Sequence, residues 1–289
     1  MRSLRYTAII AAMMCLISAA SCGHTNGSSS KADDAPAGET TASGEAQTDA
    51  AGSEAASQES DEEKENRIYE SVKDAQISTD APSLGTAGEV VAPDEDDEEA
   101  KLGNYCVCDD GVKLYYDESV YPKELALTLK EYFKSFAAGS FTDYTKCVYP
   151  SYITGMDAYL QKEYKYDIKR SFSKQCVNLL KMAEGDYTIT RIKIEPHGTA
   201  KKEEMAAMPE EQQQNVTEND PEKNIANFFA NYEDALGKDY ADKVRKETDK
   251  LYDMDFYIMV KVGDDSEKLI LGSYEIIFAE KDGRFYTFG

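Results

Sequence analysis

Residues 122–150 read PKELALTLKEYFKSFAAGSFTDYTKCVYP, and this stretch decides the fold. Pro122 suits the first position of a helix, because its ring fixes a helical φ and its missing N–H would have had no partner there. Leu125, Leu129, Tyr132, Phe133 and Phe136 recur at the spacing of one helical face. Gly139 then stops the helix where a left-handed residue is needed. Ser140 or Thr142 caps a second, short helix whose buried side is Tyr144, Cys147 and Val148, and Pro150 limits its length.

Downstream, Thr154 and Asp157 have the spacing of a capping box and predict a third helical region ending at Gly185. Its apolar residues Met156, Leu160, Tyr164, Ile168, Phe172, Cys176 and Leu180 stand four apart. Each such step slips about 40° around a helix, so all of them cannot share one face. Either the helix breaks near Ile168 or it is wrapped on several sides. Tyr187 to Ile194 is a β-branched run closed by Pro196, hence a strand.

Residues 199–252 interrupt the strand pattern. Pro221 to Leu236 reads as an amphipathic helix with Ile225, Phe228, Phe229, Tyr232 and Leu236 on one side, and Lys238 to Tyr252 as a further helix. Three strands follow over Phe256–Val262, Lys268–Ala279 and Arg284–Phe288, the last two joined by a tight turn at Asp282-Gly283. Upstream, Asp110-Gly111 within Tyr105 to Tyr116 marks a hairpin.

The pattern predicts an α+β domain over 101–289: N-terminal helices packed on one face of a curved antiparallel sheet, with a helical insertion. Helix, short helix ending at Tyr149-Pro150, third helix and then strands resembles the nuclear transport factor 2-like, ketosteroid isomerase-like or cystatin-like fold over Leu125 to Gly289. That fold hosts isomerases, dehydratases, ligand binders and assembly modules, so the resemblance implies an architecture and leaves the activity open.

The opening of the chain points to export. Arg2 and Arg5 precede an apolar run from Ala8 to Ile17, followed by the small residues Ser18-Ala19-Ala20-Ser21. The run is shorter than the roughly 20 residues a membrane span needs. Ala19-Ala20-Ser21-Cys22 resembles the lipobox of bacterial lipoproteins, although leucine usually stands where Ala19 is. The resemblance implies a signal peptide over 1–21 and lipidation at Cys22, with plain secretion as the alternative. Several acyl chains on one cysteine anchor a protein stably to the cell membrane, facing away from the cytoplasm.

Residues 23–100 hold 21 acidic and 4 basic side chains and one aromatic, Tyr69. Such a composition predicts a disordered acidic linker from the lipidated cysteine to residue 100. Glu62 to Ile77 has helix formers but no apolar stripe, and the run Asp94 to Glu99 reads as a solvated spacer rather than a calcium loop. The whole chain thus resembles the lipid-anchored proteins of undefined function in gut Firmicutes that carry such domains behind acidic linkers.

Motifs for chemistry are sparse. The histidines are His24 and His197, the latter read as an exposed turn residue. Asp253 and Asp255 share a strand face and have the types to hold a cation, although a solvated strand edge is the simpler reading. No catalytic, cofactor or metal set is assigned. Cys106, Cys108, Cys147 and Cys176 remain for disulfides of unknown pairing or for a reduced buried set; Cys106 and Cys108 are badly placed to bond each other. Tyr115, Tyr132, Tyr164, Tyr257, Tyr274 and Tyr286 either line a pocket or fill the core.

The net charge of −23 argues against nucleic acid, which needs basic patches. A surface module binding a small ligand, a glycan or an envelope protein is favoured over an enzyme. The alternative is a hydrolase, isomerase or dehydratase using carboxylate and tyrosine groups in the cone of the fold.

Overall fold

The computed structural model describes residues 59–94, 98–199 and 220–289. The expected signal peptide, Cys22, His24 and the linker up to residue 58 lie outside the described residues.

The deciding stretch folds as its spacing requires. Pro122 is the extended cap of α2 (Lys123–Ala137), and Gly139 takes the left-handed φ of 61° after it. The Ser140 side chain accepts from the Asp143 N–H and opens α3 (Phe141–Cys147). Helix α4 starts at Pro150 rather than at Thr154 and runs to Tyr164. The Thr154 hydroxyl donates to the Pro150 carbonyl at 2.8 Å instead of capping. Asp157 caps the next helix, accepting from the Ile168 N–H at 2.9 Å. The third helical region does break: Lys165 is left-handed at φ 64°, and Asp167 accepts from Arg170 N–H to start α5 (Ile168–Ala183).

Two strands precede these helices, β1 (Tyr105–Val107) and β2 (Lys113–Tyr115), paired about the Asp110-Gly111 turn. Strand β3 (Thr188–Pro196) follows α5. The insertion supplies α6 (Pro221–Ala230), α7 (Glu233–Leu236) and α8 (Tyr240–Glu247). Strands β4 (Lys250–Lys261), β5 (Lys268–Lys281) and β6 (Arg284–Thr287) complete a six-stranded curled sheet in the order β1-β2-β3-β4-β5-β6. Asp282 and Gly283 have φ of 53° and 70°, the pair of positive values that a primed two-residue turn demands.

The α+β class stands, but the sheet is mixed. Strand β2 pairs parallel with β3, because the helices α2 to α5 form a crossover between them and return the chain in the same direction. Strand β4 also begins at Lys250, well before Phe256. Asp253 and Asp255 break the apolar pattern there without breaking the ladder, which pairs Met254 with both Pro196 and Ile276.

The core lies between α2 and the curl of the sheet. Phe133 packs on Phe256 with ring centroids 5.0 Å apart, and Phe136 stacks on Phe172 at 5.3 Å. The first hairpin is fastened to α2 by charge: Asp110 receives Lys130 at 3.0 Å and Lys134 at 2.7 Å, and Lys130 is 0 % exposed. Burial opposes the Asp110 charge, yet the two ammonium groups outweigh it and hold its carboxyl at about 2.

The linker expectation fails for residues 59–94. Ser60 and Glu63 form a capping box at the start of α1 (Asp61–Val72). Ile68 and Val72, one helical turn apart, are buried, and α1 packs on α5. Arg170 lies over the Tyr69 ring at 3.9 Å and pairs with Glu65 at 3.2 Å; Lys181 reaches Asp61 at 2.8 Å. Two apolar residues make a poor stripe alone, and tertiary packing supplies what propensity lacks. Ala87 and Val91 bridge to Cys108 and Tyr105. Glu99, taken for part of a solvated spacer, accepts from Lys113 at 2.6 Å and Tyr115 at 2.7 Å and pairs with Arg191 at 3.0 Å. The folded part therefore begins by residue 59.

Candidate functional site

The register of the sheet places three carboxylates in one rung: Glu195 on β3 opposes Asp255 on β4, which opposes Glu275 on β5. Like charges directly opposite each other destabilise a sheet, so each needs compensation. Glu195 accepts from the Tyr257 hydroxyl at 2.6 Å and pairs with Lys193 at 2.8 Å. Asp255, 2 % exposed, meets His197 Nδ1 at 2.6 Å and accepts from Gly198 N–H at 2.9 Å and Ser273 Oγ at 3.3 Å. Among the described residues no hydrogen bond reaches the Glu275 carboxylate; the residue is exposed, and partial desolvation of its carboxyl raises its pKa.

Asp253 stands two residues before Asp255 and shares its face. One oxygen, Oδ2, accepts from Asn224 Nδ2 of α6 at 2.9 Å, while Oδ1 is enclosed with no hydrogen-bond partner among the described residues. Burial raises its pKa. His197 stands in the expected turn but is half-buried rather than exposed, and the hydrogen bond to Asp255 lifts its pKa to about 9 against the opposing effect of burial. The two aspartates do share a face, but no solvated edge results: strands flank β4 on both sides and Asp255 is committed to His197.

Beside the rung lies a pocket of about 230 Å³ between α2, α6 and the sheet, walled by Tyr132, Phe133, Phe228, Phe256, Tyr274 and Glu275 among others. A larger groove of about 360 Å³ lies elsewhere, under α1. Its apolar wall comes from Met156, Tyr159, Leu160 and Tyr164 of α4 and Val177 of α5; Asp61, Glu65 and Lys181 belong to its charged rim. Gln175 also lines it, 9 % exposed, with Oε1 buried and no partner among the described residues.

Among the described residues, Cys106, Cys108, Cys147 and Cys176 are all free and buried, the reduced set rather than disulfides. Burial pushes the thiols up, to about 11 at Cys108 and about 12 at Cys147. With so little thiolate they are poor nucleophiles. Of the tyrosines picked out in the sequence, Tyr132 and Tyr274 line the smaller pocket and Tyr164 the groove. Tyr115 and Tyr257 instead donate to Glu99 and Glu195.

Sequence reading missed Glu275 and Gln175. Glu275 becomes visible once β4 and β5 are paired in register, which no local pattern supplies. Gln175 precedes Cys176 on a buried helical face, and a polar residue at such a position was the available signal. No family model, no curated protein and no solved structure matches the chain.

Proposed function

We propose that the chain is a lipid-anchored lipoprotein, held at the outer face of the cell membrane through Cys22, whose domain is a binding module of the nuclear transport factor 2-like type. Helices seated in the curl of the sheet support that identity. The module takes a small amphipathic ligand in the groove beneath α1. The observation that carries this reading is Gln175 Oε1. A buried amide oxygen without a donor costs about 1–3 kcal/mol, and a ligand with an apolar face and one N–H or O–H group relieves that cost in a mostly apolar groove.

The test is a thermal-shift screen of the full chain in detergent against metabolites and glycans, repeated with Gln175→Leu. Compounds that stabilise the wild type and lose their effect in the variant support the reading. An empty screen, or stabilisation indifferent to Gln175→Leu, defeats it. The anchor is tested by Cys22→Ala, which moves the protein from the membrane fraction to the soluble one; retention in the membrane means that the apolar run itself is the anchor.

A second reading is favoured by one contact. His197 and Asp255 at 2.6 Å, with Glu275 lining the adjacent pocket, have the parts of an acid–base site for a hydrolase, isomerase or dehydratase. Turnover of any substrate that His197→Gln abolishes, with folding intact, would decide for it.

A further inference from the structure

The geometry points to a divalent transition-metal site on the sheet, with His197, Asp253 and Glu275 as its protein ligands. One donor atom from each of the three lies within 4.8 Å of the others, close enough for small side-chain adjustments to bring all three to about 2.0–2.2 Å from a common ion.

The surroundings are arranged as a metal site requires. His197 engages Asp255 through Nδ1, so the nitrogen that ligates is Nε2. An imidazole oriented by a carboxylate on its other nitrogen is the usual outer layer of a histidine-bound metal. Asp255 is itself fixed by Gly198 and Ser273. Asp253 shows the same division of labour, with Oδ2 held by Asn224 and Oδ1 enclosed and without a partner among the described residues. An enclosed carboxylate oxygen without a donor is costly in a metal-free protein, and an ion coordinated there removes that cost. Glu275 completes the set from the neighbouring strand.

One imidazole nitrogen and two carboxylates select Zn²⁺, Mn²⁺ or Co²⁺ over Ca²⁺ and Mg²⁺, which prefer all-oxygen shells with more ligands. Three protein ligands also leave at least one coordination position for water or for a donor group of a bound molecule. Glu275 belongs both to this set and to the wall of the aromatic pocket.

The experiment is calorimetric titration of the full chain, stripped with chelator, against ZnCl₂ and MnCl₂, with CaCl₂ and MgCl₂ as comparators. We expect one saturable site, a rise in Tm with metal, and at least tenfold weaker binding in His197→Gln, Asp253→Asn and Glu275→Gln. Asp255→Asn, which keeps all three ligands and weakens the support of the imidazole, lowers affinity about 10–100-fold. Should a variant misfold by circular dichroism, Co²⁺ added to the wild type gives a second readout: visible bands of a low-coordinate nitrogen and oxygen site. The proposal is overturned by no saturable binding, by equal binding of Ca²⁺, by affinity unchanged in folded variants, or by a cobalt spectrum identical to that of the aqueous ion.

Discussion

The groove beneath α1 and the carboxylate rung treat buried polar groups in opposite ways. In the groove one neutral acceptor, Gln175 Oε1, has no partner among the described residues and faces mostly apolar walls. On the rung, the two buried carboxylates, Glu195 and Asp255, have each oxygen engaged by a named donor, while the exposed Glu275 beside them has none among the described residues. A site built from an apolar wall adapts to many shapes at little cost to the fold. A site built from adjacent like charges is held in one geometry by its support, and loses stability when that support goes.

The largest effect is therefore expected on the rung. Asp255→Ala removes the acceptor of His197, Gly198 and Ser273. Hydrogen bonds to a charged group are each worth about 1.5–3 kcal/mol, and relief of repulsion with Glu195 and Glu275 returns at most about 1 kcal/mol. A net loss of about 3 kcal/mol or more in chemical denaturation follows. A variant as stable as the wild type would mean that the rung is strained rather than supported.

Helix α1, the roof of the groove, is next. Ile68→Ala creates a cavity worth about 2 kcal/mol or more, but α1 docks chiefly on α5. The loss should appear as faster amide exchange and protease cleavage within residues 59–72, while core strands keep their protection. Uniform loss of protection across the sheet would make α1 part of the global folding unit.

A control that belongs to neither region is Asp110. Its folded pKa of about 2 lies below the ordinary 3.8, so its contribution is present above pH 3.8 and is lost as pH falls toward 2. The stability at stake is about 2 kcal/mol. Denaturation of Asp110→Asn at neutral pH and again near pH 2 should converge on the wild type at the acid end; a gap that persists there would assign the effect to the turn and not to charge.

Legibility follows the range of the interaction. Gly139, Ser140 and the Asp282-Gly283 turn act within a few residues of themselves and appear where their chemistry puts them, while Pro122 stands one place early, as the extended cap rather than the first helical residue. The spacing of four left two outcomes, a break near Ile168 or a helix wrapped on several sides, and the break is the one that forms. What the chain hides is pairing between distant segments. Two buried residues of α1 are too few to announce a helix inside an acidic stretch. The parallel β2–β3 pair and the Glu195–Asp255–Glu275 rung depend on which strands become neighbours. His197 does stand in a turn, but it looked exposed because its partner stands far along the chain, on β4.

Gln175→Leu is the smallest effect and the sharpest separator of the two regions. Leucine is close to glutamine in volume, favours helix at least as well, and removes an acceptor that has no partner among the described residues. At an ordinary core position, replacing a bonded glutamine leaves its former donor stranded and destabilises the protein. Here no donor is stranded, so the change should be neutral or stabilising by up to about 1 kcal/mol in denaturant unfolding. Loss of more than about 1 kcal/mol would show that Gln175 serves the fold rather than a ligand. The groove would then resemble the rung, a polar arrangement kept for structure, and the case for binding would pass to the sheet.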